Sequence, residues 1–419
     1  MERERERNES FGRRSAIIEK LAKYATSELP ASELQVKLRL KKKFSLIEEP
    51  AQAIELICAL AKTLKLNRRI RSINFNHADL EEYDLAANAL LDLVAVERNR
   101  ELRNRQTRKG LRVSGTYPRD GRVRRFIKAM GIIKHMDILH EAPSHAEAEK
   151  IRFFDKRNTH YLSSPDAKAP DFKDRVQVKF VDFIDECLQT HRWALSDYGK
   201  QSLGLYAGEI LANAEDHAGF VDWTVQGYLD NSSDSPTCEI AIFNFGKSIA
   251  QTFQELNRDS YAWKFIQPYI ERHTAKGLFS PAWRQEDLLT VVALQQHISS
   301  KNSNVADSRG QGTVHFIDFF QQVHNLCVAT TKAGGPKAKM ALISGGTYIL
   351  FDGTYQLKER EGAGKTIAFN LSGSLEDLPD KAYVKSLGAS RFPGTIISVR
   401  FSLSAGKMVE ELEDGKSVN

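Results

Sequence analysis

The hydrophobic period of residues 31–140 switches repeatedly between 2 and about 3.6, and this switching limits the available folds more than any other feature of the chain. Residues 35–44 (QVKLRLKKKF) alternate apolar and basic side chains, as a strand with one exposed face does. Pro50 then opens a helix to about residue 64, with Ile54, Leu56, Ile57, Leu60 and Ala61 available for burial. Residues 70–76 (IRSINFN) read as a buried strand and 80–96 as a helix. A short strand follows at 111–115. A turn at Tyr117-Pro118-Arg119-Asp120 then leads into a helix over 121–130, stopped by Gly131. Strands alternating with helices over such a span specify a small α/β domain. Ahead of it, residues 1–30 read as a charged tail running into a helix.

The second part of the chain has a different rhythm. Residues 141–173 hold Pro143, Pro165 and Pro170 and few apolar runs, so they read as a linker. A long helix begins near Asp174 and brings Val178, Phe180, Val181, Phe183 and Ile184 to a core; a second spans about 196–217. Strands are expected at 223–229 and 239–245, separated by the turn-rich 230–236. Residues 253–297 read as mostly helical, broken at Pro268, Gly277 and Pro281. A helix over 313–325 follows a glycine pair, 337–344 and 347–351 flank Gly345-Gly346 as a hairpin, and 395–403 (TIISVRFSL) form a last strand. Residues 404–419 are an acidic tail. The fold class is α/β in its first part and α+β overall.

Composition narrows the class. Residues 1–150 carry 31 Lys/Arg against 22 Asp/Glu, a charge of +9, whereas 151–419 carry 29 against 32, or −3. The break points to two units with different surfaces. A charge of +9 over that length is modest, so nucleic acid is not the favoured partner. No apolar run nears the roughly 18 residues of a membrane span, and the alternating start, Met1-Glu-Arg-Glu-Arg-Glu-Arg7, lacks the pattern of a signal peptide. Cys58, Cys187, Cys238 and Cys327 lie far apart without CxxC spacing, which argues against a disulfide framework or a zinc knuckle. The expectation is a cytoplasmic protein.

The stretch richest in chemistry is Gly208-Glu-Ile-Leu-Ala-Asn-Ala-Glu-Asp-His-Ala218. On a helix, Glu209, Asn213 and Asp216 share one face, while Leu203, Tyr206, Ala207, Ile210, Leu211 and Ala214 share another. A carboxylate and a carboxamide at i and i+4 set an acid–base group beside an oxygen ligand, which suits Mg²⁺, an ion that keeps water and phosphate in its remaining positions. Downstream, Arg309-Gly310-Gln311-Gly312-Thr313 opens a helix, where free backbone N–H groups and the helix dipole stabilise an anion. Lys301 and Arg309 add positive charge there.

Taken together, these pieces resemble the GHKL superfamily of ATP-binding domains, which includes histidine kinases, type II topoisomerases, chaperone and mismatch-repair ATPases and anti-sigma serine kinases. Glu209-x-x-x-Asn213 matches the family's first box; the following His217 resembles the anti-sigma version and Asp216 the chaperone version. Asn244-Phe-Gly246-Lys-Ser248 stands where the family has D-x-G-x-G, Gly310-Gln-Gly312 matches the second glycine box, and Gly394-Thr395 resembles the threonine closing the adenine site. The resemblance implies a two-layer α/β sandwich over 174–403 with a mixed sheet and a long helical lid at about 250–309. It implies Glu209 as base toward the attacking water or hydroxyl, Asn213 on Mg²⁺, and Asn244 facing the adenine amino group. Gly246 would admit the base, and Gly310 and Gly312 would wrap the phosphates of ATP. Residues 31–140 are similar to STAS domains, partner-binding modules, in the phrasing of Ile73-Asn-Phe-Asn76 and Pro118-Arg119 to Gly131-Ile132.

Asn244 in place of Asp and Ser248 in place of Gly depart from the family pattern; an amide oxygen still accepts a hydrogen bond but without charge assistance. The expected function is an Mg²⁺- and ATP-dependent regulatory switch or slow ATPase acting on a protein partner, of a kind found in bacterial stress signalling and phage defence. An anti-sigma-like serine/threonine kinase and a non-hydrolysing binding module are the alternatives, and homodimerisation stays open. Gly362-Ala-Gly364-Lys365-Thr366 lacks the first glycine of a P-loop and reads as an ordinary loop. His297, His315 and His324 have no metal spacing with any Cys, and Phe316, Phe319 and Phe320 read as core.

Overall fold

The computed structural model describes residues 14–103, 110–131, 143–158, 172–190, 194–217, 222–232, 236–274, 283–296, 298, 312–330, 338–360 and 364–403. The chain divides into two compact units, one formed by Met1–Ile151 with Leu387–Phe392, the other by Arg152–Ser386 with Pro393–Asn419.

In the first unit, β1 (Gln35–Arg39), β3 (Ser72–Asn76) and β5 (Arg112–Thr116) form a parallel sheet in the order β1-β3-β5, while β2 (Lys43–Phe44) and β4 (Glu82–Tyr83) form a separate parallel pair. The alternation in 35–44 has the expected outcome: Val36, Leu38 and Leu40 are buried and the basic residues between them are not. Helix α1 (Ala16–Ala22) packs on α2 (Pro50–Leu66) and α3 (Leu85–Arg103), and α4 (Gly121–Met130) packs on α3. Helix α4 starts where the Asp120 carboxylate accepts from the Val123 N–H and ends at Gly131. Helix α1 lies within the segment expected to run from a charged tail into a helix, and its Ile17, Ile18 and Leu21 are buried in this core. Ser15 caps α1 and also donates its hydroxyl to Glu97 at 2.7 Å.

A buried carboxylate organises the β2–α3 region. Asp84 accepts from the Ser45 hydroxyl (2.6 Å), the Leu46 N–H (2.5 Å) and, through its other oxygen, the Ala87 N–H at 2.7 Å. Nearby, His77 lies between the Phe75 and Tyr83 rings, and its Nδ1–H donates to the Thr116 carbonyl at 3.1 Å. Burial lowers its pKa to about 4, against 6.5 in an open chain, and the hydrogen bonds only partly oppose this. The neutral ring is thus favoured by folding. The stability it contributes is full above pH 6.5 and is lost as pH falls toward 4, by about 3 kcal/mol. Urea unfolding at pH 7 and pH 4 should show a smaller acid loss in His77→Phe than in the wild type; an identical loss would assign it to other groups.

The second unit is built on a seven-stranded sheet in the order β13-β10-β9-β14-β8-β7-β6. Its strands are β6 (Ile151–Asn158), β7 (Trp223–Asp230), β8 (Thr237–Phe245), β9 (Lys339–Gly345), β10 (Thr347–Phe351), β13 (Val384–Ser386) and β14 (Phe392–Ser402). The pairs β13/β10, β10/β9, β14/β8 and β8/β7 are antiparallel. A small hairpin, β11 (Lys358–Arg360) with β12 (Gly364–Thr366), stands apart from it. Helices α6 (Phe172–Gln189), α7 (Asp197–His217) and α11 (Gly312–Thr330) pack together, and α6 and α7 also meet the sheet.

Two expectations change. The 141–173 linker contains α5 (His145–Ala148) and β6, the edge strand of the main sheet. Only Ile151 and Phe154 of β6 are buried, too few to give a period. On α6, Val178 is 59% exposed and Val176 takes the core position. In the span expected as a helical lid, 250–309, the described residues form three helices. Helices α8 (Ile249–Gln254) and α9 (Tyr261–Thr274) each pack on α10 (Gln285–Val292), and α10 packs on β10 and β13. Glu286 accepts from the Gly346 N–H and Asp287 from the Thr347 hydroxyl, while the Gln295 amide exchanges two hydrogen bonds with the Ile367 backbone. The remaining parts of that span, 275–282, 297 and 299–309, lie outside the described residues. Among the described residues no helix is long and apolar enough to cross a membrane.

Candidate functional site

Helix α7 carries the first box. Leu203, Ala207 and Leu211 recur every fourth residue and are buried, so the helix turns its predicted apolar face inward. Gly204 and Gly208 face Gln177 of α6; a Cβ at Gly208 would stand 2.6 Å from its Oε1, so this spacing lets the two helices approach closely. Glu209, Asn213, Asp216 and His217 occupy the last turns of α7, and their side chains lie outside the described residues.

Helix α7 packs directly against α11 and touches β8. The three elements that carry the sequence boxes are thus neighbours in the second unit: α7 with Glu209 and Asn213, β8 with Asn244 near its end, and α11 with Gly312 as its first residue. Lys301, Arg309 and Gly310 lie outside the described residues. Thr313 is half-buried in the first turn of α11, which contains no acidic residue to compete for an anion at its free N–H groups.

At the end of β8 the chain is held on both sides. Asn244 stands opposite Trp223 of β7 and opposite Thr395 of β14. Its Oδ1 accepts from the Thr395 N–H at 3.0 Å. The Thr395 hydroxyl meets Ser344 Oγ at 2.9 Å, and Ser344 in turn accepts from the Ile249 N–H at 2.8 Å. Gly246 has φ 149° and donates its N–H to the Pro393 carbonyl. Ser248 caps α8, accepting from the Gln251 N–H and receiving the Gln251 side chain on its own N–H, so its hydroxyl is occupied in the fold. Asn244 and Thr395 are thus a hydrogen-bonded cross-strand pair, and Ser248 is the N-cap of α8.

Two groups were not singled out from the sequence. Ser344 joins β9 to Thr395 by a hydroxyl bridge that no local pattern announces. Lys365, in the rejected P-loop look-alike, sits on β12 with its Nζ 3.0 Å from Asp318 of α11, bringing a cation beside the second turn of that helix. Together with burial, this cation holds the pKa of His315 on the same helix below its ordinary value. Among the described residues no group of three or more His, Cys, Asp or Glu is placed to hold a metal ion. No protein-family model, curated protein or solved structure matches this chain.

Proposed function

We propose that the second unit is a GHKL-type domain that binds a Mg²⁺–nucleoside triphosphate, ATP being the nucleotide the resemblance implies, and acts as a regulatory switch with slow hydrolysis. The observation that supports the reading is that α7 packs against both α11 and β8, so three elements that are far apart in sequence and carry the boxes of the resemblance are neighbours. The donors fit the parts of such a ligand. The α11 N-terminus and nearby Lys365 suit phosphates, the Asn213 amide oxygen suits Mg²⁺, and the Asn244–Thr395 pair suits the edge of a base. Mg²⁺ when bound supplies charge neutralisation across the phosphate oxygens. Glu209, one turn before Asn213, orients or deprotonates the attacking water. The first unit, read as a STAS-like module, would receive or present a protein partner.

Glu209→Ala should therefore leave triphosphate affinity within about threefold of the wild type while lowering phosphate release by about 10²-fold or more. Phosphate release and equilibrium binding on the same preparations check this. Equal turnover in both proteins would remove Glu209 as the base. Absence of turnover in the wild type, with binding intact, would favour the non-hydrolysing module, for which the replacement of Asp by Asn244 is the specific observation.

A further inference from the structure

The polar atoms around the end of β8 are almost all committed. Thr395 uses both its N–H and its hydroxyl, Ser344 and Ser248 use their hydroxyls, and the Gly246 N–H is bound to Pro393. Asn244 is 92% buried by its 8% exposure, and its Oδ1 is oriented by a backbone N–H, a group that can only donate. This fixes the amide: the atom turned to Thr395 is the oxygen, and the NH₂ is turned away. Among the described residues Nδ2 makes no hydrogen bond.

We infer that a nucleotide base seated at this end of β8 is a 6-oxopurine in preference to a 6-aminopurine, because the Asn244 amide leaves a hydrogen-bond donor, and not an acceptor, uncommitted there. The inference rests on the nucleotide reading above and names its ligand more narrowly. A carboxylate at this position offers only lone pairs and suits the amino group of adenine. With Oδ1 held by the Thr395 N–H, Nδ2–H is the group of the amide left for a base. The 6-amino group of adenine also donates there, so two donors oppose each other, and one covered N–H is left without a partner. The 6-oxo group of hypoxanthine or guanine accepts instead. Oδ1 retains a second lone pair, but a base laid against the amide covers Nδ2 as well, and only an acceptor satisfies it.

The probe is inosine triphosphate, which differs from ATP in carrying the 6-oxo group in place of the amine and has no added 2-amino group. Calorimetric titration of the full chain with Mg²⁺ should give about tenfold tighter binding of inosine triphosphate than of ATP. Asn244→Asp, which keeps an acceptor for the Thr395 N–H, should reverse the order. Tighter binding of ATP to the wild type, or equal binding of both that Asn244→Asp leaves equal, overturns the base assignment while leaving nucleotide binding intact. Failure of both triphosphates to bind overturns the underlying reading itself. The wild-type comparison needs no variant, so a folding defect in Asn244→Asp does not remove the test.

Discussion

Asn213→Ala is expected to weaken Mg²⁺–triphosphate binding by at least about a hundredfold, the largest effect of any single change at the site. Mg²⁺ accepts few protein ligands and holds the rest of its shell with water and phosphate, so removing one direct oxygen takes away most of what ties the ion to the chain. Asn213 lies in the last turns of a 21-residue helix whose inward face is fixed by Leu203, Ala207 and Leu211, so truncating its side chain leaves the helix seated. Circular dichroism and calorimetry on one preparation separate folding from binding. Affinity within threefold of the wild type would show α7 to be an ordinary packing helix and would end the metal assignment.

Gly394→Ala should destabilise the second unit by about 3 kcal/mol or more. The residue has φ +142°, a backbone conformation that L side chains rarely adopt. An added Cβ would also stand 2.0 Å from the Asn244 carbonyl oxygen and 2.9 Å from its carbon. Backbone is on both sides of this clash, so relief requires β8 and β14 to part at the Thr395–Asn244 pair. Denaturant unfolding reads the loss, and triphosphate binding should weaken with it because the same pair faces the base in our account. A loss below about 1 kcal/mol would mean that the strand ends yield freely.

The parts of the fold legible in the sequence are those where one local pattern decides the outcome. The α/β alternation of the first unit, the α4 boundaries at Asp120 and Gly131, and the strands at 223–230 and 237–245 follow from period, capping and turn chemistry. Other elements depend on distant partners. Strand β6 is an edge strand with two buried apolar residues, and it exists because β7 offers it a ladder. The anchoring of α10 rests on Glu286 and Asp287, adjacent charges whose partners, the Gly346 N–H and the Thr347 hydroxyl, lie 60 positions away. The same holds at the site. The identities of Asn244 and Thr395 were readable, yet the direction of the Asn244 amide is set by a backbone N–H 151 positions away. The P-loop pattern around Lys365 fails for want of its first glycine, and the pairing of Lys365 with Asp318, 47 positions away, leaves no local signal.

The most direct test is a calorimetric titration of the full chain with ATP, inosine triphosphate and ADP, each with Mg²⁺ and again in EDTA. Saturable one-to-one binding of a triphosphate that is lost in EDTA and is tighter than that of ADP is the predicted outcome. No binding of either triphosphate at millimolar concentration, or binding indifferent to EDTA, would mean that α7 and α11 meet around no Mg²⁺–nucleotide.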